Sequence, residues 1–141
     1  TIIFAPSLTK ETDNSMKAVS IAREIENILM EHNRKSGDKI MFGIGVHNGE
    51  MIVEAASGKF RFNSMGNTIP SVKKIADSSS YATTISEMVH RRVLGKVKSE
   101  RVEGANCWKV GRIINHEGHS EFINRFVQRQ KEDARRESLK K

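Results

Sequence analysis

Few side chains in this 141-residue sequence stand at spacings that chemistry demands. His116-Glu117-Gly118-His119 sets two histidines three residues apart with a glycine between them. A helical zinc-protease site needs HExxH, which puts both ligands on one helix face beside a basic glutamate, so this quartet is half a motif. Cys107 is the lone cysteine. It cannot close an internal disulfide, and no base is placed to activate it, so neither a disulfide framework nor thiol catalysis is expected. Gly43, Gly45 and Gly49 miss the G-x-G-x-x-G spacing and fall within a strand-like run and its turn, not at the opening of a helix. That removes a dinucleotide-binding loop. Glycines inside a strand mark instead a close approach by another backbone or a ligand. His47 falls in a turn, where an exposed side chain is expected. Arg135, Arg136, Lys140 and Lys141 crowd the C-terminus without interleaved aromatics, which makes nucleic acid an unlikely partner.

The elements that would position any site centre on residues 41–75. An apolar run over 39–46 is followed by His47-Asn48-Gly49 and a second run over 51–56. Ile- and Val-rich runs joined by Asn-Gly predict a β-hairpin. Phe60-Arg61-Phe62-Asn63 alternates as a short strand does. Gly66-Asn67-Thr68 then turns the chain into a helix spanning 71–78. Upstream, residues 1–6 (TIIFAP) are β-branched and aromatic and predict a strand. Asp13, Asn14 or Ser15 caps a helix over 15–33. Its inward stripe is Ala18, Ile21, Ala22, Ile25, Ile28 and Leu29, and Arg23, Glu24, Glu26 and Asn27 face outward. Downstream come a strand over 82–85, a helix from Glu87 capped by Ser86, and a terminal hairpin over 96–102 and 105–114. Residues 116–141 read as a C-terminal amphipathic-to-charged helix with Phe122, Ile123, Phe126 and Val127 in its apolar stripe.

The order GIGVHNGEMIVEA, then FRFNSMGNTIPSVKKIADSS, resembles the second half of the class III adenylate and guanylate cyclase domain. Gly43-Ile44-Gly45-Val46-His47, Gly49 and Gly66-Asn67-Thr68-Ile69 carry the likeness, which extends more weakly from Thr1 to about Ile113. It implies an α+β fold, a nucleotide-cyclase-like (ferredoxin-like-derived) sheet with helices packed on one face. The cyclase-homology domain would cover residues 1–115, with the C-terminal helix over 116–141 covering an exposed face.

A cyclase must hold a triphosphate, activate the ribose 3′-hydroxyl and spread charge in the transition state, using metal-bound carboxylates and a phosphate-binding cation. The family pattern places an asparagine and an arginine four residues apart after the G-[DN]-T-V turn. Aligned on Gly66-Asn67-Thr68-Ile69, those positions are Pro70 and Lys74, and the base-reading position is Asn63. Neither metal aspartate of the pattern falls within the 141 residues. The resemblance therefore implies no catalytic or metal-binding residue here. It implies a catalytically degenerate, regulatory module acting as a homodimer or by pairing with another cyclase-type domain, with residues 43–51 near the pairing surface. The alternative is a purine-nucleotide sensor or weak cyclase that takes ATP or GTP with Mg²⁺ at Asn63, Gly66, Asn67 and Lys74. The plain reading of Lys74, beside Lys73, is a solvated helix lysine.

A chain of this length buries a real core as one domain. With 37% hydrophobic and 29% charged residues it reads as a soluble globular protein, expected in the cytoplasm. No run reaches transmembrane length. The formal charge of +7 admits an anionic partner, nucleotide included. A further alternative is a basic module binding nucleic acid or acidic membrane through the C-terminal helix.

Overall fold

A computed structural model describes residues 1–56 and 58–114. The expected C-terminal helix and its Phe122, Ile123, Phe126 and Val127 lie outside the described residues. Four helices are present among those described: α1 (Pro6–Thr9), α2 (Ser15–Lys35), α3 (Thr68–Asp77) and α4 (Glu87–Arg92). The strands are β1 (Ile44–Val46), β2 (Met51–Ala56), β3 (Lys59–Ser64), β4 (Thr83–Ser86), β5 (Val97–Arg101) and β6 (Cys107–Ile113). A four-stranded mixed sheet runs β1-β4-β6-β5, and β2 and β3 form a separate two-stranded ribbon. The α+β class holds.

The core is β-branched. Val46, Ile85 and Val110 from the sheet meet Val19 and Ala22 of α2 and Val89 of α4, with Val93 and Val97 closing the cluster. Thr83 hydrogen-bonds the Ala22 carbonyl at 3.4 Å and fixes α2 over β4. Since Val46 faces α2 and α4, its neighbour Gly45 faces the other way. There α3 lies so close that a Cβ on Gly45 would sit 2.6 Å from the Val72 carbonyl oxygen and 2.8 Å from the Ala76 nitrogen. The helices anticipated on one face thus divide, α2 and α4 on one side and α3 on the glycine side of β1.

Three expectations are corrected. The hairpin does not form between residues 39–46 and 51–56. β1 pairs in parallel with β4, and β2 pairs with β3 in antiparallel register, Val53 opposite Phe62. Between these two strands Gly58 takes φ +73°, as a tight hairpin turn requires. Asn48-Gly49 instead carries the chain past Thr68, whose side chain a Cβ on Gly49 would meet. Second, residues 1–5 join no sheet, and Pro6 opens α1. Third, α2 is rotated relative to its expected stripe. Its buried residues are Ser15, Val19, Ala22 and Glu26, while Ile28 is 62% exposed. Glu26, expected outside, goes in because Arg23 one turn back pairs with it. The other boundaries lie close to expectation: α2 extends to Lys35, its N-cap residue is Asn14, whose side chain makes no capping bond, and the Asp13 carboxylate just before it accepts from the Ser15 amide at 2.9 Å. Ser86 accepts from Val89 N at the start of α4.

Candidate functional site

The ribbon and α3 meet at a common base. Met65 N donates to Glu50 O at 3.1 Å, and the Thr68 hydroxyl donates to Met65 O (3.1 Å) or Glu50 O (3.3 Å). Asn63 sits opposite Ile52 near this base. Gly66 makes the turn at φ +57°, a backbone region that suits glycine. Asn67 occupies the N-cap position of α3 but makes no capping hydrogen bond, and the first turn holds no acidic residue. The first N–H groups of α3 are therefore open to an anion or to water. Chain proximity brings Asn63, Gly66 and Asn67 to this end. Lys74 stands in the last turn. It lies two helical turns from Asn67, about 10 Å along the axis. All four residues are exposed. α3 starts three residues before the expected 71, so Pro70 is its third residue, after Thr68 and Ile69. Its missing N–H still falls among those the helix leaves unpaired.

A second feature lies beside this base. A cavity of about 700 Å³ runs along β1, walled by α2 (Ile21, Ile25), α3 (Ile69, Val72) and residues 1–4. His47 and Asn14 line it near the C-terminal end of β1. His47 is half-buried, not exposed as anticipated, and burial holds its imidazole below the ordinary 6.5, in the neutral form. Its Nδ1 has no hydrogen-bond partner among the described residues. Asn14 is only 8% exposed. Its Nδ2 donates to Glu11 O at 3.2 Å, and its Oδ1 is unpartnered. Sequence reasoning missed this cavity. The available signal was the width of the α2 apolar face, which exceeds what one sheet face can cover.

Away from the cavity, His90 and Glu87 have side-chain partners. His90 stacks on Trp108 with ring centroids 4.5 Å apart and meets Ser99 Oγ at 3.0 Å. The Asn106 amide, then Arg91, holds the Glu87 carboxyl below its ordinary range. Among the described residues no three His, Cys, Asp or Glu side chains gather as a metal site, and no helix is long and apolar enough to cross a membrane.

The fold is cyclase-like. The chain is similar to a solved structure described as the crystal structure of the guanylyl cyclase Cya2, with a TM-score of 0.57 and 18% identity. The likeness covers 75% of this chain and 62% of that one, so the chain spans less than two thirds of its structural relative. At that identity the likeness concerns fold alone. No family model matches the sequence, and no curated protein matches it.

Proposed function

We propose that this domain is a catalytically degenerate member of the nucleotide-cyclase fold that works by association, as a homodimer or with another cyclase-type domain. The observation that carries this reading is the uncovered ribbon. Ile52, Val53 and Met65 are 47%, 38% and 49% exposed on and beside a two-stranded element. Such a ribbon is marginal in water by itself, and apolar side chains left open on both of its faces, Ile52 on one and Val53 on the other, favour a partner surface. The anticipated pairing surface at residues 43–51 moves accordingly, because α3 already covers Gly43 and Gly45. Degeneracy is supported by the alignment on Gly66 to Ile69. Pro70 offers no side-chain donor to a ribose, and Lys74 has no bidentate fork for a developing phosphate charge. Val53→Asp tests the reading. The variant is expected to remain at the 15.9 kDa monomer mass at concentrations where the parent associates, with the far-UV spectrum retained. Equal association of the two proteins would remove the ribbon from the interface.

A second reading has its own support in the uncapped, acid-free start of α3. It is a purine-nucleotide sensor, with phosphate on the α3 N–H groups, Gly66 and Asn67, the base at Asn63, and Lys74 as the more distant cation. Titration calorimetry with ATP or GTP and Mg²⁺ then gives a measurable heat. Lys74→Glu weakens binding about tenfold, as expected for a lost charge contact to phosphate (about 1.4 kcal/mol). Unchanged affinity would take Lys74 out of the site.

A further inference from the structure

Asn48-Gly49 is the single Asn-Gly pair of the sequence, and it does not close the hairpin that its residue types announce. It lies in the connection over 47–50, between β1, which ends at Val46, and β2, which begins at Met51. Neither residue has a positive φ, so the pair does not form the type I′ turn that would lock it between ladder bonds. The connection belongs to no helix or strand, and Gly49 is exposed. Among the described residues neither the Gly49 N–H nor the Asn48 carboxamide has a hydrogen-bond partner. Glycine has no side chain to shield its nitrogen or to restrict the backbone's approach. A free amide nitrogen one residue after an asparagine is the natural nucleophile for that side chain's carbonyl carbon. The other asparagines among the described residues are held or shielded. Asn14 is buried and donates to Glu11 O, Asn33 bonds both backbone groups of Ile40, and Asn106 donates to Glu87. Asn27, Asn63 and Asn67 precede Ile28, Ser64 and Thr68, whose side chains crowd the attacking nitrogen.

We propose that Asn48 is a site of spontaneous deamidation through a succinimide. The Gly49 nitrogen bonds to Asn48 Cγ and the Cγ–Nδ2 bond breaks. Nδ2 leaves as ammonia, taking up the proton that the Gly49 nitrogen loses, relayed by water. Water then opens the ring at either carbonyl. Addition at Cγ restores the peptide and leaves aspartate. Addition at the backbone carbonyl carbon leaves isoaspartate, whose chain runs through the former side chain. Net, one water is consumed and one ammonia released, with no oxidant or reductant. Both products carry a carboxylate where the amide stood, which lowers the formal charge of +7 by one unit. Isoaspartate also lengthens the backbone by a methylene, and the connection is fitted too closely to absorb it. A Cβ on Gly49 would lie 2.5 Å from Thr68 Cγ2 and Oγ1, and Glu50 O accepts from Met65 N at 3.1 Å. The added methylene moves Gly49 off Thr68 and frees the Met65 N–H, which loosens the seat of the ribbon on α3. Conversion is thus a one-way mark at the joint of sheet and ribbon. This inference is independent of the pairing reading, because it is read from the covalent mass of the chain and not from its association.

The test ages the full 141-residue chain at pH 8.5, native and, in parallel, unfolded in urea, and maps its peptides by mass spectrometry. Enzymatic methylation of isoaspartyl carboxylates distinguishes the two products. The expected result in the native protein is first-order conversion at Asn48, well ahead of every other asparagine, with isoaspartate the larger product. Its rate should lie within about tenfold of that in the unfolded chain, since no hydrogen bond must open first. A site reached only through global unfolding would lag by roughly a thousandfold or more. Asn48→Gln keeps the amide but must close a larger ring, and should abolish conversion at that position. In protein enriched in isoaspartate, amide exchange at Met65 should be at least about tenfold faster than in the parent. A native chain that stays unconverted while the urea-unfolded chain converts would overturn the proposal. So would conversion at Asn63 or Asn67 as fast as at Asn48, or an undiminished rate in Asn48→Gln. Unchanged Met65 exchange would overturn the loosening of the ribbon.

Discussion

Gly45 shows how closely one residue can be fixed by its surroundings. Its absent side chain lets α3 rest on β1, with the Val72 and Ala76 backbone where a Cβ would project. Backbone cannot step aside as a flexible side chain can. Gly45→Ala is therefore expected to destabilise by about 1–3 kcal/mol, the range for overpacking a filled site. Denaturant unfolding measures it, and an unchanged midpoint would mean that α3 does not sit there. His47 makes a pH prediction. Burial disfavours its charged form, so the folded state keeps it neutral below the ordinary 6.5, while the unfolded chain takes up the proton there. Stability should be flat above pH 7 and fall as the pH drops below about 6.5 toward the lowered native value. His47→Gln should lose part of that fall in melting temperature between pH 7.5 and 5.5. At this scale the sequence told that Gly43 and Gly45 mark a close approach, but not by what. It misplaced His47, because exposure depends on what packs over the turn.

At the scale of elements, most local signals were readable and most partnerships were not. Ser86 before Glu87 announced α4, and the alternation of Trp108, Lys109 and Val110 announced β6, because capping and pleat are properties of neighbouring residues. Pairing is not local. Asn48-Gly49 carries the hairpin signature, yet β2 pairs with β3 and β1 pairs with β4, nearly forty positions on. What decides it is α3 closing on the glycine side of β1, which makes a parallel crossover the better solution. The period of α2 was legible and its rotation was not. A 3.6-residue repeat shows that a helix has an apolar face, but Glu26 turns inward through Arg23, and Ile21 and Ile25 line the cavity beside β1. Of the candidate site, the turn at Gly66 and Asn67 could be read from sequence. The two-turn separation of Lys74 follows once the span of α3 is known.

For the whole molecule, a cyclase-like fold carries a two-stranded ribbon on which Ile52 and Val53 are exposed, the surface that the proposed association would cover. The measured likeness to a guanylyl cyclase is one of fold, at 18% identity. The most direct test of association is the molar mass of the unmodified protein by light scattering, followed from micromolar to near-millimolar concentration without nucleotide. A rise from 15.9 kDa toward twice that value is the predicted result, and a mass that stays at 15.9 kDa throughout would contradict self-pairing as the basis of this domain's function.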